Sequence, residues 1–137
     1  MGQGVDLVAV AKADGRFDAE ALRLVAAGLH RAAELTGKAE ARDDGRHLTA
    51  GELVDGIVDL AAERWSALAG AVMAGWGLRR TRDLGTITFL LIEHQVFSKR
   101  DEDRIEDFEL PGDLDARIRE RVRARMARTL AVDGERA

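Results

Sequence analysis

The side chains from which an active site could be assembled are few: two serines (Ser66, Ser98), three histidines (His30, His47, His94), no cysteine and no tyrosine. Nucleophilic catalysis needs a nucleophile, a base and an orienting acid within hydrogen-bond reach of one another. No spacing here suggests such convergence. Glu93 and His94 are adjacent, so on a helix they point about 100° apart and do not easily share a metal. The absence of thiols removes disulfides, thiolate zinc sites and cysteine nucleophiles together. The acidic stretch from Asp101 through Asp107 has some character of a calcium loop. However, Ile105 stands where such a loop wants a ligand, Glu106 where it needs glycine, and Gly112 where it needs glutamate. A solvated turn is the expectation there. Phosphate-loop and dinucleotide glycine patterns are absent. The residues therefore point away from an enzyme, with no catalytic residues, no metal and no cofactor expected.

Arginine is the remaining chemistry, and it comes in blocks. Residues 1–63 carry 7 basic and 12 acidic groups, residues 64–100 carry 6 and 2, residues 101–115 carry 1 and 8, and residues 116–137 carry 7 and 3. The net charge of −4 thus hides alternating blocks of −5, +4, −7 and +4. Such blocks can steer an anionic partner, or they can pair with each other when an acidic segment folds over a basic face. Two basic groups matter most. Arg79, Arg80 and Arg82 precede an apolar helix, and Arg117, Arg121 and Arg125 lie with Arg119, Arg123 and Arg128 on a helix near the end of the chain.

These residues must be positioned by helices. Asp18 reads as an N-cap, and Leu22, Val25, Leu29 and Ala33 follow at helical steps until Gly37. Residues 38–46 have no periodicity and read as a loop. Thr49 with Glu52 is a capping box, in which hydroxyl and carboxylate satisfy each other's orphan backbone donors. Leu53, Ile57, Leu60 and Ala61 form the buried stripe behind it. After an interruption at Ser66 come Leu68, Val72, Met73 and Trp76, ended by Gly75 and Gly77. Thr81 reads as the cap of a further helix carrying Leu84, Ile87 and Leu91, although Thr86-Ile87-Thr88-Phe89 would also suit a strand. Leu53, Ile57, Leu60, Val72, Trp76, Ile87 and Leu91 are expected to share one core, with Trp76 thinly covered by its glycine neighbours. Residues 96–98 and 105–110 flank an acidic turn and could form a small hairpin.

The last helix, expected over residues 113–130, carries Leu114, Ile118, Val122, Met126 and Leu130 at four-residue steps. Such a seam needs an apolar groove, which its own domain, a second copy or another protein could supply. A nucleic acid or anionic lipid surface reached through the arginines is the further alternative.

From about Phe17 to Phe108 the chain resembles an uncharacterised bacterial family, the Minf-type family. The matching pieces are His47-Leu48-Thr49, Glu52-Leu53, Gly56-Ile57, Trp76-Gly77-Leu78, Thr81, Asp83-Leu84-Gly85, Ile87 and Phe89. They continue through Leu91-Ile92-Glu93 to Glu106-Asp107-Phe108. The resemblance transfers no activity and no site. Family members tend to carry glycine at Ser66 and arginine at Ile105, and they usually end soon after an acidic, aromatic tail, so the arginine-rich segment after Asp115 is a departure.

A chain of 137 residues is the size of one domain. The aromatic content of 4% implies a core of Leu, Val, Ile and Ala, which suits helices. The start lacks the basic region and long apolar run of a signal peptide, and no run approaches the ~20 residues of a membrane helix, so a cytoplasmic location without membrane insertion is expected. The resulting expectation is a mainly α single domain of about five helices, with a helical core domain over residues 1–112 and a basic amphipathic helix over 113–137. Its function is expected to be a non-enzymatic protein–protein binding or adaptor module, with a twin chain or another protein seated on Leu114, Ile118, Val122, Met126 and Leu130. On that reading, removal of residues 113–137 impairs association more than folding. The alternative is a winged-helix-like nucleic-acid-binding protein with a hairpin near 96–110 as wing. It would use Arg79, Arg80, Arg82, Arg117, Arg121 and Arg125, and would need them on one face clear of carboxylates.

Overall fold

The computed structural model describes residues 5–38, 47–96 and 103–136. Among the described residues there are six α-helices and no strand: α1 (Leu7–Asp14), α2 (Ala19–Thr36), α3 (Ala50–Trp65), α4 (Ala69–Gly75), α5 (Thr81–Glu93) and α6 (Leu114–Arg136). Two 3₁₀ turns, Ser66–Leu68 and Ile105–Phe108, join them. The mainly helical expectation holds, with one helix more than the periodicity revealed. The extra helix is α1, where a loose start was expected. Asp6 accepts a hydrogen bond from the Ala9 N–H at 3.1 Å and Gly15 ends the helix at φ 82°. With only Val10 and Ala11 buried, α1 leaves too short a stripe to read.

The centre of the fold is the contact of α2 with α3, which glycines bring unusually close. A Cβ added at Gly28 would lie 2.3 Å from Cγ1 of Ile57, and one at Gly56 would lie 2.6 Å from the backbone nitrogen of Ala32. Clash with a side chain can be relieved by rotation, but clash with backbone requires the helices to separate. We expect Gly56→Ala to destabilise the protein by about 1–3 kcal/mol despite the better helix propensity of alanine, read as a lower denaturant midpoint.

The capping box at the start of α3 is present. Thr49 Oγ1 accepts from the Glu52 N–H at 3.1 Å, and Glu52 Oε1 accepts from the Thr49 N–H at 2.9 Å. Lys38 reinforces it by donating to the same carboxylate and to the carbonyl of His47, each at 2.9 Å. Thr49→Ala removes one arm and should cost about 1 kcal/mol in a thermal or denaturant melt.

Residues 86–89 are helical, not extended. Thr86 and Thr88 donate their hydroxyls back to the carbonyls of Arg82 and Leu84, which lets β-branched residues sit within a helix. Thr81 is not the cap: it is the first residue of α5, buried, and its Oγ1 accepts from the Leu110 N–H at 3.3 Å. The capping acceptor is Asp83, whose Oδ2 takes the N–H groups of Arg79 and Arg80, each at 2.9 Å.

The segment expected as the second strand of a hairpin is instead the 3₁₀ turn Ile105–Phe108, closed by Asp107 accepting from the Arg104 N–H. Phe108 turns inward and packs on Gly85, where an added Cβ would come within 2.5 Å of its ring. A side chain seated this way cannot follow the alternation of a strand. Residues 97–102, which would complete the hairpin, lie outside the described residues, as does most of the loop expected over 38–46.

The core comprises Leu22, Leu24, Val25, Leu53, Val54, Ile57, Met73, Leu78, Leu84, Ile87 and Leu91, among others. Of the residues expected to share it, Val72 and Trp76 are only half-buried, and Trp76 meets Trp65 edge to face at 5.3 Å. Among the described residues no helix is long and apolar enough to cross a membrane.

Candidate functional site

The most organised charged region of the molecule lies where α6 crosses α3. Pro111 and Gly112, the latter at φ 79°, break the chain, and Asp113 restarts it by accepting from the Ala116 N–H at 2.7 Å. Leu114, Ile118 and Val122 then enter the same apolar core as Ile57 and Leu60, packing on α3 and α4. These three, expected to seat a partner, are instead buried in the chain's own domain. Their seam is covered by their own domain because α6 docks directly after the Pro-Gly break.

Beside that seam, arginines four residues apart meet carboxylates four residues apart. Arg117 Nη1 is 3.9 Å from Asp55, Arg121 Nε is 2.6 Å from Asp59, and Arg125 lies 2.9 Å from Asp59 and 3.5 Å from Glu63. Arg31 of α2 completes the ladder by donating to both Asp59 and Glu63. Asp59 is the centre, a carboxylate with 3% of its side chain exposed that receives three guanidinium groups from two helices. Burial raises its pKa, but the hydrogen bonds from Arg31, Arg121 and Arg125 outweigh burial and hold it below the ordinary aspartate value. Glu63 is lowered as well, chiefly by its hydrogen bond from Arg31. Sequence reasoning missed Asp59, Glu63 and Arg31. The signal was the spacing of Asp55, Asp59 and Glu63, which matches that of Arg117, Arg121 and Arg125.

Past Arg125 the environment changes. Every residue over 126–132 is exposed, with Met126 54% exposed, Leu130 68% and Val132 42%. The apolar seam thus has two halves, one inside the domain and one in water. The helix itself runs farther than expected, reaching Arg136.

The basic approach to α5 is also crossed by carboxylates. Arg82 lies 2.9 Å from Glu109 and 3.9 Å from Glu106, and Arg80 lies 3.5 Å from Asp83. Arg79 has no side-chain partner among the described residues. Arg121 and Arg125 are turned onto Asp59 and Glu63, so the six arginines of the nucleic-acid alternative do not form a basic face clear of acids. An open groove of about 390 Å³ beside the ladder is lined by Asp55, Asp113, Arg117, Glu120 and Arg121 among others, a mixture of signs that favours no ion.

The groups considered for chemistry are scattered. His47 Nε2 lies 3.3 Å from Asp103, His94 ends α5, His30 is exposed on α2, and Ser66 has a positive φ of 49° at the joint of α3 and α4. No three His, Asp or Glu side chains gather as a metal-binding group among the described residues. Ser98 and the first acidic residues of the calcium-like stretch, Asp101 and Glu102, lie outside the described residues. No family model, curated protein or solved structure matches the chain.

Proposed function

We propose that the protein is a non-enzymatic protein–protein binding module whose partner surface is the outer end of α6. The observation that supports this is the exposed run after Arg125. A helix fastened to its domain at Asp59 continues for about 16 Å, at about 1.5 Å per residue, with Met126, Leu130 and Val132 in water. Large apolar side chains on a helical extension lose hydration cost when a partner covers them, roughly 25 cal/mol for each Å² buried. Met126 adds an adaptable contact. Arg119, Arg123 and Arg128 border this surface, with Arg119 paired to Asp115 and Arg123 to Glu120. These exposed pairs cost little to exchange for a partner's carboxylates.

The experiment is a comparison of the full chain with Met126→Glu/Leu130→Glu by sedimentation equilibrium and by capture from the native host. The double variant should melt like the parent and lose the self-association or the specific partner that the parent shows. Equal association of the two proteins would remove the proposal.

A further inference from the structure

In a chain with 34% charged residues, the stretch over 65–78 contains none. It forms the end of α3, the 3₁₀ turn Ser66–Leu68 and the whole of α4. A seven-residue helix can turn only a small part of its surface inward, and here the buried residues of this stretch are Ala69, Met73 and Leu78. Leu68 is 67% exposed, Ala67, Ala71 and Gly75 are exposed, and Val72 is half-buried. The edge-to-face contact of Trp65 with Trp76 draws the two ends of the stretch together, so these residues share one apolar surface.

The free charge around that surface is positive. Arg64 and Arg79 border the stretch, are exposed, and have no side-chain partner among the described residues, while Arg80 reaches Asp83 only at 3.5 Å. The neighbouring carboxylates are engaged: Glu63 by Arg31 and Arg125, Asp83 by the backbone of Arg79 and Arg80, and Asp115, next to Gly70, by Arg119.

We propose that this face is a docking surface for an amphipathic helix of another protein, one with an apolar seam and acidic flanks. Charge complementarity to Arg64, Arg79 and Arg80 selects the flanks. A second copy would bring the same basic rim against itself. A bilayer would gain little, because Leu68 is the one large side chain of the stretch that stands well clear of the surface. A helix can instead approach closely over Ala71 and Gly75, with Leu68 and Val72 entering its grooves. The proposal rests on the uncharged stretch itself and does not depend on the reading of the outer end of α6.

The test is selection of full-length protein against a displayed library of helical peptides, randomised at seam and flank positions. Trp65 and Trp76 are the only tryptophans, so binding at this face also changes the intrinsic fluorescence. Enriched peptides should carry apolar seams with Glu or Asp flanks and shift that fluorescence. Leu68→Glu, at an exposed position, should weaken binding at least tenfold, and Met126→Glu should leave it unchanged. No enrichment, enrichment of basic flanks, binding insensitive to Leu68→Glu, or a fluorescence shift with phosphatidylserine vesicles that matches the peptides' would overturn the proposal.

Discussion

A chain ending at Gly112 will fail to unfold cooperatively, whereas a chain ending at Ala127 will melt within about 0.5 kcal/mol of the full protein. The difference follows from where α6 is buried. Leu114, Ile118 and Val122 lie inside the core, at about 1.5–3 kcal/mol each, or roughly 5–9 kcal/mol together. A domain of this size has a total stability of about 5–15 kcal/mol, so that loss removes most of it. The shorter chain also strands Asp59 with Arg31 alone. The longer one gives up residues that are exposed over 128–132. Circular dichroism melts of the two truncations check the result, which runs against the expectation that loss of residues 113–137 impairs association more than folding.

Asp59→Ala should be the most damaging single substitution outside the apolar core, costing about 3–5 kcal/mol. It removes the one carboxylate on which Arg31, Arg121 and Arg125 converge, leaving three half-buried guanidinium groups, of which Arg125 keeps only Glu63 and Arg31 keeps Glu63 and the exposed Glu34. Asp59→Asn keeps the shape and loses the charge, so it isolates the electrostatic part. The pH dependence has a definite sign. Because the folded state holds Asp59 below its ordinary value, its contribution is complete above about pH 4 and is lost as pH falls through the depressed folded value. The gap in stability between the parent and Asp59→Asn should therefore narrow on acidification. Denaturant melts from neutral pH down to about pH 3 measure it, and a gap that stays constant would show that the charge is not what matters.

Elements with a strong local signal were legible in the sequence. The capping box of Thr49 and Glu52, the helix from Ala19 to Thr36 and the four-residue seam of α6 follow from residue type and spacing, which the backbone obeys directly. What escaped was set by contacts between distant residues. Thr81 has the chemistry of a cap, but the Leu110 N–H claims its hydroxyl, and Asp83 takes over the capping. Phe108 lies in a segment with strand character, and only the space above Gly85 explains why the chain turns there. The α6 seam looked uniform because periodicity gives direction around a helix, not how far along it the rest of the domain extends. Arg121 and Arg125 have the spacing of a surface for anions, but Asp59 lies beneath them.

The division of α6 into a fastened half and a free half is tested most directly by native-state hydrogen exchange along this helix. Amides over 118–125, held by the core and by Asp59, should exchange with free energies close to that of global unfolding, while those over 128–135 should exchange through local fraying, orders of magnitude faster. Uniform protection to Arg136, or fast exchange beginning before Val122, would contradict it.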